Sequence, residues 1–122
     1  MSASLSIMIV DDESIVGKRL KRLLEKDGHT VQTFTRGSLA IKSFQTYNYD
    51  MIITDLKMGK VDGIMVLEYA AALKLSPKVI VISGLTQKKF SQEAFIKGAH
   101  AFLKKPFRIK ELRDIIKRAS EE

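Results

Sequence analysis

Aspartates at positions 11, 12 and 55, a serine at 83 and a lysine at 105 each stand at or just past the end of a short apolar run. The runs are Ser6-Ile-Met-Ile-Val10, Met51-Ile-Ile-Thr54, Lys78-Val-Ile-Val-Ile82 and Ala101-Phe-Leu103. Runs this short, rich in Val, Ile and Phe and bounded by Asp, Gly or Pro, predict strands. If the strands run parallel, their exits converge, and three carboxylates, a hydroxyl and an ammonium share one rim. Three carboxylates so close repel one another, and one must take up a proton unless a cation sits among them. A hard divalent ion resolves that conflict. Mg²⁺ fits best, because it takes one or two carboxylates, keeps several waters and favours sites that also bind phosphate oxygens. Such a rim suits a carboxylate that accepts a phosphoryl group, with Glu13 just beyond the pocket. Pro106 strengthens the reading of Lys105, since a rigid turn directly after it fixes its direction.

The elements that must hold these residues alternate regularly. Strands are expected at Leu5 to Val10, Thr30 to Phe34, Met51 to Thr54, Lys78 to Ile82 and Ala101 to Leu103. Continuous apolar runs such as Met51-Ile-Ile53 imply burial on both faces. Val16, Leu20, Leu23 and Leu24 recur at helical spacing with basic residues around them, and Gly28 stands where a helix stops. Leu112, Ile115, Ile116 and Ala119 repeat the stripe in a last helix. Ser38 to Tyr47, Gly63 to Leu73 and Gln87 to Lys97 supply three more. Alternation of this kind predicts an α/β fold with a parallel sheet and helices on both faces, since each parallel crossover needs a helix.

At 122 residues the chain has the length of one domain, and a single domain over 1–122 is expected. It contains no cysteine, which removes disulfides, thiolate metal sites and cysteine nucleophiles. Its apolar stretches fall far short of the roughly 20 residues needed to span a bilayer, and no secretory signal is legible. A cytoplasmic location without membrane attachment is expected. Lys and Arg total 21 against 14 acids, a formal charge of +7, so the long-range field attracts anionic partners.

Four motifs carry a family resemblance: Ile9-Val-Asp-Asp-Glu13; Ile52-Ile-Thr-Asp-Leu-Lys-Met58 with Asp62-Gly63; Val81-Ile-Ser-Gly84; and Gly98-Ala-His-Ala-Phe-Leu-Lys-Lys-Pro-Phe107. In this order, over essentially the whole chain, they resemble the receiver domains of two-component response regulators. The resemblance implies a doubly wound, flavodoxin-like, five-stranded parallel sheet of order 2-1-3-4-5, with the site where strand order reverses. It implies that Asp55 is the phosphoacceptor for a phosphohistidine donor. Asp11 and Asp12 would hold Mg²⁺ together with Asp55 and the backbone carbonyl of Lys57. Lys105 would pair with Asp55 and then with the phosphoryl group, and the Ser83 hydroxyl would bind a phosphoryl oxygen. Ser83 and Phe102 would form a switch that alters the surface of the fourth helix, fifth strand and fifth helix, although Phe102 reads equally well as plain core. The implied partners are a sensor histidine kinase or histidine phosphotransfer protein, then an output domain or target protein. The chain would be a phosphorylatable switch and not a turnover enzyme.

Departures from the family pattern sharpen these expectations. Gly59 stands where many relatives have proline, and Phe102 replaces a frequent tyrosine. His100 occupies a position often held by aspartate in regulators that dimerise through that face, which weighs against that dimer on phosphorylation. Lys57 and Leu85 lie two residues beyond Asp55 and Ser83, and neither orients an attacking water as an acid or amide would, so slow self-dephosphorylation is expected. Two other functions compete. A haloacid-dehalogenase-type phosphatase also uses Mg²⁺ and a nucleophilic aspartate, but it needs a second aspartate where this chain has Glu13. A basic nucleic-acid-binding module agrees with the charge, but the strands and helices leave no separate helix-turn-helix, so direct nucleic-acid binding is not expected. His29 and His100 read as surface or turn residues and not as metal ligands.

Overall fold

The structure is a computed structural model that describes residues 4–56, 63–84 and 88–122. Its elements are β1 (Ser6–Val10), α1 (Ser14–Lys26), β2 (Thr30–Phe34), α2 (Gly37–Ser43), β3 (Met51–Asp55), α3 (Gly63–Ala71), β4 (Lys78–Ser83), α4 (Lys88–Ile96), β5 (Ala101–Lys104) and α5 (Ile109–Ser120). The strands form one parallel sheet in the order β2-β1-β3-β4-β5, as expected. Its register sets Val10 beside Thr54, Asp55 beside Ile82 and Ser83 beside Lys104.

Each strand reads as continuously apolar because its alternate side chains enter two different packed layers. Met8, Val10, Ile52, Val79 and Val81 pack with Ala40 of α2, with Val66, Leu67 and Ala70 of α3, and with Ala94 of α4. Ile7, Ile9, Ile53, Ile80 and Ile82 pack with Leu20 and Leu24 of α1 and with Leu112 and Ile116 of α5. Helices α1 and α5 therefore cover one face, and α2, α3 and α4 the other. A fully buried side chain of this size contributes about 1.5–3 kcal/mol, so the two layers hold the sheet firmly between both sets of helices and fix where the strand ends lie.

Two helix ends show how local sequence sets these positions. Gly28 has a positive φ of 96°, and the Gly28 and His29 amides donate back to the Glu25 and Leu24 carbonyls at 3.0 and 3.2 Å. Gly98, at φ 112°, ends α4 in the same way, with amides donating to the Phe95 and Ala94 carbonyls. Both are glycine stops that satisfy the last carbonyls of a helix. By contrast α2 ends at Ser43, four residues before the expected Tyr47. The chain stays coiled there, but the amides of Phe44, Gln45 and Thr46 donate to the third residue back rather than the fourth. This tightening is common at helix ends. Likewise α3 closes at Ala71 rather than Leu73, with the Leu73 amide donating to the Ala70 carbonyl.

Candidate functional site

The site is built at the carboxyl ends of β1, β3 and β4 and just past β5. Asp11 is the first residue beyond β1, and its amide still donates to the Phe34 carbonyl at 3.0 Å, so it is held by the sheet rather than by a loop. Its side chain is buried, and Oδ1 accepts the Glu13 amide at 2.9 Å where α1 begins. That bond is an Asx turn just ahead of α1 and does not cap the helix's own first amides, and it occupies only one oxygen. Asp12 is exposed at the lip. Asp55 is the last residue of β3 and only 7% exposed. Asp11, Asp12 and Asp55 each present a carboxylate oxygen within 4.8 Å of the others. The expected convergence is found, with Glu13 exposed outside it.

Lys105 closes the cluster. Its Nζ donates to Asp55 Oδ2 at 2.7 Å and to Asp11 Oδ2 at 3.2 Å. Its amide donates to the Ser83 carbonyl at 2.8 Å, and the peptide to Pro106 is cis. One lysine therefore ties the end of β4 to the ends of β1 and β3. The bridge to Asp11 was not legible in the sequence, because nothing local relates positions 11 and 105. Burial alone would lower the Lys105 ammonium's pKa, but the hydrogen bond and charge of Asp55, with the charge of Asp11, outweigh it and hold the group above the usual lysine value. Burial pushes the Asp11 carboxyl above the usual carboxylate range, opposed only in part by the Glu13 amide and Lys105.

Three carboxylates and one ammonium leave a formal charge of −2 in this cluster. All the donors are hard oxygens, with no histidine or thiolate among them, and burial makes the ionised form of Asp11 costly. That donor set fits Mg²⁺. Ser83, at the end of β4, is fully buried. Phe102 lies half-buried beside Val81 and packs on the layer covered by α2, α3 and α4. Lys57, Gly59, Asp62 and Leu85, on which the resemblance also drew, lie outside the described residues.

One further residue shapes the site. A Cβ on Gly63 would collide with the Asp55 carbonyl oxygen and stand 2.7 Å from Leu56 Cα, so only glycine lets α3 start against the end of β3. The Gly63 amide donates to the Leu56 carbonyl at 3.0 Å, which seals that junction. The signal was the glycine of Asp62-Gly63, visible in the sequence but without a stated role. The two histidines are where turn residues should be. His29 Nδ1 accepts the Leu5 amide at 3.1 Å, and His100 Nε2 lies 3.2 Å from Glu122. Among the described residues, no helix is long and apolar enough to cross a membrane.

A parallel sheet of this order, carrying paired acids after β1, an acid ending β3, a hydroxyl ending β4 and a lysine past β5, defines a receiver-type signalling domain. The model of the response regulator receiver domain family matches residues 7–117, and the chain belongs to that family. It is 26% identical over 101 residues to the cell cycle transcriptional regulator CtrA of Caulobacter vibrioides, covering 83% of this chain and 44% of CtrA. It is 28% identical over 103 residues to the chemotaxis protein CheY of Treponema pallidum, covering 82% of this chain and 72% of that protein. The receiver domain of the Francisella response regulator 1452 superposes with a TM-score of 0.89 at 26% identity, over 97% of this chain and 98% of that one. A CheY-like receiver from Methanospirillum hungatei shares the fold at a TM-score of 0.92 and 24% identity, over 98% of this chain and 95% of that one. The chain spans about half or less of the length of the first transcriptional regulators it matches.

Proposed function

We propose that this response regulator receiver takes a phosphoryl group onto Asp55 from a phosphohistidine on a sensor kinase or phosphotransfer protein. The observation that carries the proposal is the 2.7 Å contact between Lys105 Nζ and Asp55 Oδ2, set within a cluster of three carboxylates. An Asp55 carboxylate oxygen forms the new bond to phosphorus as the P–N bond breaks. The departing imidazole takes the electron pair and picks up a proton. The product is an aspartyl phosphate, and the chain's work is positioning and charge compensation, because phosphoryl transfer asks little covalent chemistry of a protein.

Lys105 is placed to pair first with the Asp55 carboxylate and then with the phosphoryl oxygens. Asp11, Asp12 and Asp55 would hold Mg²⁺, with the Lys57 carbonyl as the further ligand implied by the family. Bound there, Mg²⁺ would offset the negative charge that the phosphoryl oxygens add. Ser83, buried at the end of β4, would turn its hydroxyl to a phosphoryl oxygen. Its carbonyl already holds the Lys105 amide, so any shift of Ser83 is felt at the start of the β5–α5 connection. Phe102 lies in the strand next to β4, where a ring could follow Ser83 and change the surface of α4, β5 and α5.

Intact mass spectrometry with Mg²⁺ and a small phosphodonor tests the acceptor. Wild type should gain one phosphate and Asp55→Asn none. Equal labelling of the two proteins would refute the assignment.

A further inference from the structure

We propose that Thr54 is a positioning residue for the Asp55 carboxylate, acting through its hydroxyl on the Asp55–Leu56 peptide, a role that rests on Asp55 being the phosphoacceptor. Apart from the aromatic Tyr49, the polar or charged side chains buried among the described residues are those of Asp11, Thr54, Asp55 and Ser83. Three of these belong to the site already described. Thr54 is the fourth, and packing does not account for it.

Its surroundings are apolar. The register places Thr54 in a row that crosses four strands, from Val10 through Thr54 and Val81 to Phe102. Residues paired in this way turn to the same face of the sheet, and the other three members pack in the layer covered by α2, α3 and α4. Thr54 is fully buried among them. A valine has nearly the same shape and no polar atom to desolvate, whereas a buried hydroxyl is costly unless it is hydrogen-bonded. The hydroxyl is therefore retained for the bond it makes.

That bond goes to the residue bearing the acceptor carboxylate. Thr54 Oγ1 donates to the Asp55 carbonyl oxygen at 3.1 Å. At the other end of the same peptide, the Leu56 amide donates to the Ile82 carbonyl at 3.3 Å, longer than the roughly 2.7–3.2 Å of a good N–H···O bond. A peptide unit is planar, so holding its oxygen and its N–H fixes the tilt of the plane and with it the ψ angle of Asp55. The start of α3 bears on the same oxygen, since a Cβ at Gly63 would collide with it.

Asp55 is the last residue of β3, where the grip of the strand ladder ends and local bonds set the backbone. A change in its ψ angle shifts the carboxylate relative to Lys105 Nζ, now 2.7 Å away, and to the carboxylates of Asp11 and Asp12. Reacting atoms misplaced by about 1 Å can lose about a hundredfold in rate. Without the hydroxyl, the weaker Leu56 bond holds the plane, and a drift of about half that size would cost about tenfold.

The test is the rate of small-phosphodonor labelling of the full chain with Mg²⁺, read by intact mass, for wild type, Thr54→Val, Thr54→Ser and Ile52→Val, with melting temperatures alongside. Thr54→Val should label about tenfold more slowly while melting within a few degrees of wild type. Thr54→Ser keeps the hydroxyl and should label within about threefold of wild type, although the lost methyl lowers its melting temperature. Ile52→Val loosens the same layer without removing a hydrogen bond, and should melt lower yet label at the wild-type rate. Wild-type labelling by Thr54→Val, or labelling by Thr54→Ser or Ile52→Val as slow as that of the Thr54→Val protein, would overturn the role of Thr54 and leave Asp55 as acceptor. Equal labelling of Asp55→Asn and wild type would instead overturn the acceptor, and the role of Thr54 with it.

Discussion

Replacing Lys105 by methionine keeps most of the aliphatic stem and removes the ammonium that touches both Asp11 and Asp55. The two contacts, at 2.7 and 3.2 Å, correspond to about 6 and about 5 kcal/mol of attraction at an effective dielectric constant near 20. Desolvation of the three groups cancels most of that. Loss of one partner from a buried pair costs about 3–5 kcal/mol, and the lysine side chain is 23% exposed, so about 2–3 kcal/mol is expected. For a domain of this size that lowers the melting temperature by about 8–12 °C in EDTA.

The sign with Mg²⁺ is opposite. With the ammonium gone, the cluster's formal charge changes from −2 to −3, so the cation should bind more tightly and stabilise the variant more than it stabilises wild type. The pH dependence follows from the same groups. Lys105 is held above its ordinary 10.5, so its stabilisation is complete below that pH and disappears as pH rises through the folded-state value. On the acid side, the gap between variant and wild type should narrow as the carboxylates become protonated, with Asp11 doing so above its ordinary 3.8. Melting curves of both proteins, with EDTA and with Mg²⁺ across pH, measure all of this. Equal melting in EDTA, or a smaller Mg²⁺ increment in Lys105→Met, would refute the view that Lys105 is the internal counter-charge of the cluster.

Saturating Mg²⁺ should stabilise wild type by about 2.7 kcal/mol at a hundredfold excess over its dissociation constant, and Asp12→Ala should lose most of that gain together with labelling. Unchanged melting on metal titration would remove the cation from the site. Gly63→Ala should destabilise by about 2–3 kcal/mol, the usual cost of overpacking, because its Cβ meets backbone that cannot swing aside; denaturant unfolding that matches wild type would show that α3 can shift away. With lysine at 57 and leucine at 85, the phosphoprotein should persist for minutes or longer, and decay within seconds in a quench time course would contradict the idea that neither side chain activates water.

Much of the site was legible because its chemistry sits at strand ends, where a short run of Val and Ile simply stops at Asp11, Asp55 or Ser83. Parallel pairing then forces those stops to one edge, so type and position together were informative. The order of the strands came from resemblance, since local pattern does not say which strand lies beside which. What stayed hidden depends on distances across the fold. The Lys105–Asp11 contact joins residues 94 positions apart, and the collision that reserves position 63 for glycine depends on how α3 enters against β3. The early close of α2 was also not legible, because Phe44 to Thr46 continue to coil and only their hydrogen-bond spacing changes. His29 shows the limit of composition: a turn histidine in the sequence turns out to accept the Leu5 amide just before β1.

The separate packing of alternate strand residues has an evolutionary consequence. A substitution beneath α4 is absorbed by neighbours that never touch the residues beneath α1, because the sheet stands between them like a wall. Lineages carrying this architecture can remodel one flank in small steps while the other keeps its contours, so recognition on the two sides is free to diversify on independent schedules.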